Sequence, residues 1–321
     1  MRVLFVCVSF IFLCCRAEAA DIQPYPARPV RLIVPYAPGG GADTLARYVS
    51  QALGESLSQS FVIDNRGGGG TLLGCELAAK ATPDGYTLLM VASTHAVISS
   101  LYKSLPFDPI RDFTAIVRVA SAPNILVVHP SLGVGSIKEL VKLGKGNPAG
   151  IVYASSGNGG GSHLAMELFR SMAHIDLIHV PYKGTGPAMI DLLSGQAKMM
   201  FGGMIGTVTH TRSGRLKTIA VSSASRSALM PEVPTVAESG FPDYEASTWY
   251  GLLGPAAMPP NRVQFLNMQV RDLLKAPKLQ AKILAQGADL SASSAEDFSS
   301  YIKSEQIKWA KVVKDSGAKP E

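Results

Sequence analysis

The chain has 321 residues, 47% of them hydrophobic and 17% charged, with a formal net charge of +6. That is enough apolar material for a sizeable core, organised as two domains. The basic residues are scattered, without the runs or aromatic interleaving of a nucleic-acid surface, and no Cys/His cluster has metal-ligand spacing. The mild positive charge suits an anionic small molecule without requiring one.

The chain opens on Arg2 and the apolar run VLFVCVSFIFLCC, followed by Ala17-Glu18-Ala19. A short apolar run with a small-x-small site predicts a signal peptide over 1–19, a mature chain starting near Ala20, and export. The run falls short of the roughly 18–20 residues a membrane span needs. Bulky residues before Cys14 and Cys15 argue against a lipid-anchored start. Cleavage removes Cys7, Cys14 and Cys15 and leaves Cys75 alone, so no internal disulfide is expected. A lone cysteine in a predicted helix reads as buried filler.

Val30–Leu53 then reads as strand (Arg31–Val34), Pro/Gly loop (Pro35–Gly41) and helix, with Leu45, Tyr48, Val49, Ala52 and Leu53 on one face and Asp43 as the expected N-cap. Phe61–Asn65 is a strand. The glycines Gly67–Gly70 serve either structure or the rim of a site, and a helix spans Leu72–Lys80. Strand Tyr86–Ala92 ends in Ser93-Thr94-His95. Ligands of open α/β sheets sit beyond the carboxyl ends of strands, which makes Ser93 and Thr94 pocket candidates; His95 reads as a surface or capping histidine. Thr114–Pro130, broken at Ala122-Pro123, suits a strand pair leaving one sheet for another, with the domain crossing near 122. A helix over Ser136–Leu143 carries a Ser136/Glu139 capping box.

Ile151–Phe169, IVYASSGNGGGSHLAMELF, repeats the first module: strand end, glycine loop, and a helix with Ser162 placed to cap it. Strand, glycine loop and helix N-terminus make an anion site, because first-turn N–H groups lack partners and the helix dipole is positive there. A tight turn with nothing bound is the alternative. The second copy argues against it, since two helix N-termini over a hundred residues apart could address one ligand. Strands follow at Asp176–Val180, Ala197–Phe201 and Leu216–Val221, with a helix at Pro187–Ser194. The proline-rich Met230–Pro255 loops across the surface and crosses back near Trp249. Helices Asn261–Leu274, Pro277–Gln286 and Ala295–Lys314 finish the chain. The alternation predicts an α/β fold with parallel-rich sheets: 20–122 and 249–321 as domain 1, 123–248 inserted as domain 2.

Catalytic signals are sparse. Gly161-Ser162-His163 lacks the flanks of a G-x-S-x-G elbow. A secreted hydrolase using Ser162 and His163 is the alternative function, and adjacent residues at a helix start rarely form a nucleophile–base pair. No G-x-G-x-x-G or G-x-x-x-x-G-K-[ST] is completed. No cofactor and no metal is expected.

An ordered set of motifs carries a family resemblance: P-x-R-P-x-x-x-I-V-P-Y-A-P-G-G-x-A-D-x-x-A-R (Pro26–Arg47), N-R-G-G-G-G-T (Asn65–Thr71), P-D-G-Y-T-L-L (Pro83–Leu89), G-N-G-G-G-S-H-L-A-M-E-L-F (Gly157–Phe169), V-P-Y-K-G (Val180–Gly184), P-E-V-P-T-x-x-E-x-G (Pro231–Gly240), W-x-G-L-x-x-P (Trp249–Pro255) and E-x-x-K-W-x-x-V-V-K-x-x-G (Glu305–Gly317). Together they cover essentially the whole mature chain. They resemble the Bug family, the periplasmic receptors of tripartite tricarboxylate transporters. The resemblance implies a type II periplasmic-binding-protein fold, two α/β domains joined by two crossing strands with a ligand cleft between. It implies a monomeric receptor that holds a small carboxylate (organic, amino or aromatic acid) and delivers it to membrane transporter subunits. The carboxylate would be held by backbone N–H groups and waters from Tyr36–Gly41 and Ser155–Ser162. Ligand-binding candidates are Tyr36, Ala37, Pro38, Gly40, Gly41, Ser93, Thr94, Ser155, Asn158, Gly161, Ser162, His163 and Tyr182. Neither glycine loop has a Lys or Arg, so Gly161 should matter more to binding than Lys183. The two loops are expected on different domains, closing about hinges near Ser121–Asn124 and Ser247–Trp249, where packing is thin. One departure is Lys198, where the family commonly has an acid. It either reaches the cleft and favours a second acidic group, or sits solvated at a strand end.

Overall fold

The computed structural model describes residues 25–147, 150–182 and 184–316. The expected signal peptide and Lys183 lie outside them. Among the described residues no helix is long and apolar enough to cross a membrane.

The chain runs β1 (Val30–Val34), α1 (Gly41–Leu57), β2 (Phe61–Asn65), α2 (Leu72–Ala79), β3 (Thr87–Ala92), α3 (Thr94–Leu101), β4 (Phe113–Ala122), β5 (Asn124–Val128), α4 (Ile137–Gly146), β6 (Ile151–Ser155), α5 (Gly161–Ala173), β7 (Leu177–Pro181), α6 (Thr185–Leu193), β8 (Met199–Gly203), α7 (Met204–Arg212), β9 (Lys217–Val221), β10 (Thr248–Pro255), α8 (Pro260–Lys275), α9 (Pro277–Leu284), β11 (Asp289–Leu290) and α10 (Ala295–Ser316). One sheet has the order β11-β4-β10-β3-β1-β2, the other β7-β6-β8-β5-β9. The chain passes from the first sheet to the second between β4 and β5, at Pro123, and returns through β10.

Each sheet is covered on both faces, which is why its central strands read as continuous apolar runs. All five residues of β5 and all eight of β10 are buried. On the first sheet, Val30, Leu32 and Val34 pack towards α1 and α8, while Ile33 packs with Cys75 of α2 and Phe298 of α10. On the second, Leu126 and Val128 face α4 and α5, and Ile125 and Val127 face α6 and α7. Cys75 is buried, as a filler cysteine should be, and burial pushes its thiol up to about 12.

The sheets are mixed rather than parallel-rich. β1 is parallel to β2 and β3, but β10 runs antiparallel to β3 and β4, and β5 antiparallel to β8 and β9. The reversed strands are those that carry the chain between the sheets. β10 also corrects the expectation of a surface loop reaching Pro255: its outer registers, Thr248 opposite Ala122 and Pro255 opposite Phe113, run the length of β4. Two helices were not expected, α3 and α7. The former carries His95 inward, where it is 1% exposed, its Nε2 2.8 Å from the Pro109 carbonyl. His95 is therefore a core residue and not a surface or capping one, and burial holds its ring down at about 4.

The long C-terminal helix α10 ties the two halves. Phe298 and Ile302 belong to the core under the first sheet, Trp309 and Val313 to the core of the second.

Candidate functional site

Five helices begin where strands end on one side of the two sheets: α1 after β1, α3 after β3, α5 after β6, α6 after β7 and α7 after β8. Carboxyl strand ends with helix N-termini beyond them form the usual crevice of open α/β sheets.

The first glycine loop enters α1 through Gly40, which is the N-cap and has no side-chain cap. Asp43 is not that cap. It sits in the first turn, 3% exposed, and its carboxylate turns back to accept from Gly39 N at 3.0 Å, from Arg47 at 2.9 and 3.0 Å and from Asn65 Nδ2 at 3.0 Å. Burial alone would raise its pKa, but these donors outweigh it and hold the carboxyl low. Asn65 also donates to the Tyr36 carbonyl at 3.2 Å. The acid stiffens the loop, and the N–H groups of Gly41, Ala42 and Asp43 have no partner among the described residues.

The second loop is built alike. Gly160 is the N-cap of α5, not Ser162. Ser162 turns into the loop and accepts from Ser156 N at 2.8 Å. His163 Nδ1 accepts from Gly159 N at 3.0 Å, and Ser155 Oγ from Gly157 N at 3.2 Å. Three side chains thus take up three loop amides, and the N–H groups of Gly161, Ser162 and His163 are left without partners among the described residues. Ser155 Oγ lies 2.6 Å from His179 Nε2. The His179 ring is stacked between Tyr153, at 4.8 Å, and His163, at 4.0 Å. Tyr153 Oη donates to Glu167 at 2.7 Å, and Arg170 pairs with the other carboxylate oxygen at 2.8 Å.

The fold sets the second loop against the first sheet and the first loop near the start of α6. A Cβ built on Gly161 would lie 2.8 Å from Thr248 Oγ1 and 3.5 Å from Ser93 Oγ, and one on Gly184 would lie 4.0 Å from Ala37 Cβ. Ser93 and Thr94, 4% and 7% exposed, open α3 between the loops. Ala37 and Pro38 are exposed at the tip of the first loop, and Asn158 is half-buried at the tip of the second. Tyr36 turns its hydroxyl to the sheet, where it accepts from Ala92 N at 3.2 Å. Tyr182 is half-buried and donates to Asp191 Oδ2 at 2.5 Å. Ser162 and His163 hold no nucleophile–base geometry: each side chain is engaged with its own loop. Gly67 abuts the first loop, a Cβ there lying 3.2 Å from Ala37 N, so that glycine cluster supports the rim.

Lys198 lies away from the cleft. It precedes β8, whose far end, Gly203, faces Asn124 at the crossing. Its Nζ donates to the Gly195 carbonyl at 2.7 Å and to Ser131 Oγ at 3.3 Å. The crossing itself is tightly bonded rather than thinly packed. Asn124 N donates to Ser222 Oγ at 2.8 Å, Asn124 Nδ2 to the Ala246 carbonyl at 2.7 Å, and Thr248 Oγ1 to Asn124 Oδ1 at 3.3 Å. Sequence reasoning missed Thr248, His179 and Gly184. Thr248 and His179 sit in strands whose apolar neighbours read as scaffold. Among the described residues no group of His, Cys, Asp and Glu is placed to hold a metal ion.

Residues 45–318 match the model of the tripartite tricarboxylate transporter family receptor. The protein BugT of Bordetella pertussis is 35% identical over 320 residues, 99% of this chain and 98% of its own. The solved structure of Rpa4515 from R. palustris with adipate superposes with a TM-score of 0.89 at 33% identity, covering 92% of this chain and 100% of that one. MatC from Rhodopseudomonas palustris with bound malate superposes at 0.85 with 28% identity, covering 90% and 100%.

Proposed function

This chain belongs to the tripartite tricarboxylate transporter receptor family, and from that premise we propose that it captures a small carboxylate in the cleft between its two sheets. The family is one of solute-binding receptors rather than enzymes. The observation that carries the reading is the pair of uncapped helix N-termini, α1 and α5, that the fold directs into one crevice with their first-turn amides free. An anion there gains from both dipoles and from several N–H donors. Charge-assisted hydrogen bonds contribute roughly 1.5–3 kcal/mol each, and a few of them, less the cost of association, give a dissociation constant on the order of micromolar.

The binding residues in this reading are Tyr36, Ala37, Pro38, Gly40 and Gly41 on the first loop, Ser93 and Thr94 at α3, Asn158, Gly161, Ser162 and His163 on the second, with Ser155 behind it and Tyr182 at the rim. Ser155, Ser162 and His163 act through the loop shape they fix, and Ser162 and His163 also through their amides. Adipate on one relative and malate on another favour a dicarboxylate. Residues 20–122 and 249–321 form one domain and 123–248 the other, the receptor is a monomer in the periplasm, its first 19 residues are a cleaved signal peptide, and its partner is a tripartite transporter in the membrane.

A thermal-shift screen of the purified protein against C4–C6 dicarboxylates, amino acids and aromatic acids tests this, because a receptor is stabilised by what it binds. The acid that shifts the melting temperature should then be recovered unchanged at one equivalent by mass spectrometry. Turnover beyond one equivalent overturns the receptor reading.

A further inference from the structure

Tyr250 sits third in β10, opposite Ala92 of β3, at the end of the sheet where α1 and α3 begin. Its side chain is 5% exposed and packs in the core with Ala42, Leu45, Ala92 and Leu252. Its hydroxyl has no hydrogen-bond partner among the described residues. The oxygen is not among the fully buried side-chain atoms left unpaired, so the hydroxyl keeps the access to solvent through which a ligand can reach it. The oxygen is aimed at the start of α1: a Cβ built on Gly41 would lie 2.4 Å from Tyr250 Oη and 3.0 Å from Cζ. Any side chain at the first position of α1 would displace the hydroxyl, so the glycine serves this approach as well as the ligand's. The neighbouring phenol, Tyr36, accepts from Ala92 N and leaves Tyr250 to serve the helix end.

We infer that Tyr250 is a further ligand-binding residue, whose hydroxyl donates a hydrogen bond to the carboxylate held at the N-terminus of α1. The inference rests on the reading of the cleft as a carboxylate site. A neutral phenol suits the task, since it adds a donor beside the free amides of Gly41–Asp43 without adding charge. Burial keeps the Tyr250 hydroxyl protonated far above neutral pH. Because the bond is to the shared carboxylate and not to the variable end of the solute, it strengthens binding of dicarboxylates of different length alike.

The test is calorimetric titration of malate, glutarate and adipate into the wild-type protein, Tyr250→Phe, Gly41→Ala and the double variant. Tyr250→Phe keeps the ring and its packing, so its melting temperature without ligand should stay within about 2 °C of wild type, while every dicarboxylate that binds should weaken by about tenfold or more. Gly41→Ala should weaken binding by pushing the hydroxyl aside, and should add little further loss once Tyr250→Phe has removed that oxygen, a non-additive pair. Wild-type binding with Tyr250→Phe unchanged within about twofold overturns the assignment and leaves the cleft reading standing. So does a loss confined to one chain length, which would place Tyr250 at the variable end. A wild-type protein that binds none of a wider panel of carboxylates overturns the cleft reading and this assignment with it.

Discussion

The indole N–H of Trp249 donates to Oε2 of Glu305 at 3.1 Å. The same oxygen accepts from Trp309 at 2.9 Å. Trp249 belongs to the core under the first sheet and Trp309 to the core of the second, so one buried carboxylate on α10 joins both tryptophans of the chain across the crossing. Lys308 flanks it at 3.5 Å and pairs with Glu245 at 2.8 Å. Removing the acceptor strands two indole donors in the interior.

Glu305→Ala should therefore cost about 3 kcal/mol, from two unsatisfied buried donors and a cavity. At this chain length that lowers the melting temperature by roughly 6–12 °C. Differential scanning calorimetry measures it, and the tryptophan emission should shift to the red at the same time. A change of under about 2 °C would mean that the indoles find other partners and that Glu305 is no brace.

Much of this fold was readable in the residues, because β1, β3, β5 and β6 are apolar runs and α1, α4 and α5 keep helical spacing. The failures have local causes. In α3 the polar Ser93-Thr94-His95 looks like a strand end, yet it begins a helix whose histidine finds the Pro109 carbonyl inside the core. In β10 the glycines and Pro255 look like turn residues, while the strand is buried between β3 and β4. The two glycine loops were identifiable as a pair, but Asp43 and Ser162 were assigned as caps where they instead brace the loops from within. Spacing cannot tell a cap from a brace: both put a short polar side chain within three residues of a helix start. Tyr250 was hidden for another reason, since an aromatic in a buried strand gives no sign of where its hydroxyl ends.

Gly161→Val should weaken binding severely. The added side chain begins 2.8 Å from Thr248 Oγ1 and 3.5 Å from Ser93 Oγ, where the second loop meets the first sheet. It would block both the approach of an anion to the α5 amides and the close fit of the second loop against Thr248 and Ser93. A rise in dissociation constant of about a hundredfold is expected, roughly 2.7 kcal/mol, by calorimetry with the acid found in the thermal screen. Lys183→Ala should change it by less than about threefold. The reverse order of effects would move the recognition from backbone amides to a cationic side chain.

The stacked pair His163 and His179 sets a pH limit. Each ring is held down at about 4. Burial is the first cause for both, reinforced for His163 by the charge of Arg170 and for His179 by His163, while Glu167 pulls His179 the other way. Folding thus favours the neutral rings, whereas the unfolded chain takes up protons near the ordinary histidine value of 6.5. The stabilisation is complete above that value and is lost as pH falls from it through about 4. The depressed carboxyls of Asp43, Asp64 and Asp108 act from their ordinary value of 3.8 downwards. Buried His95, also held at about 4, titrates over the same window, so melting curves between pH 7.5 and 4.5 should show a loss on the order of several kcal/mol, and His179→Asn should remove part of it. A melting temperature constant down to pH 4.5 in wild type would contradict the neutral stack.

Closure can be trapped covalently. Ala37 stands on the first loop and Gly184 opens α6, on opposite sheets, and a Cβ on Gly184 would lie 4.0 Å from that of Ala37. Disulfides join Cβ atoms about 3.5–4.5 Å apart, so Ala37→Cys with Gly184→Cys can bridge the cleft in this arrangement. The φ of +111° at Gly184 adds some backbone strain, which makes the bond reducible rather than forbidding it. Cys75 is buried and will not compete. A carboxylate gripped by both loops makes more contacts in the closed arrangement than in an open one, and that difference in affinity is what lets a ligand shift the equilibrium. Ligand should thus speed formation of the disulfide severalfold and reduce the radius of gyration in solution scattering. Once oxidised around the acid, the variant should release it far more slowly than the reduced form, and reductant should restore the wild-type rate. Equal rates of oxidation with and without ligand, together with an unchanged radius of gyration, would show that the two loops sit together at all times and that the cleft fills without a hinge.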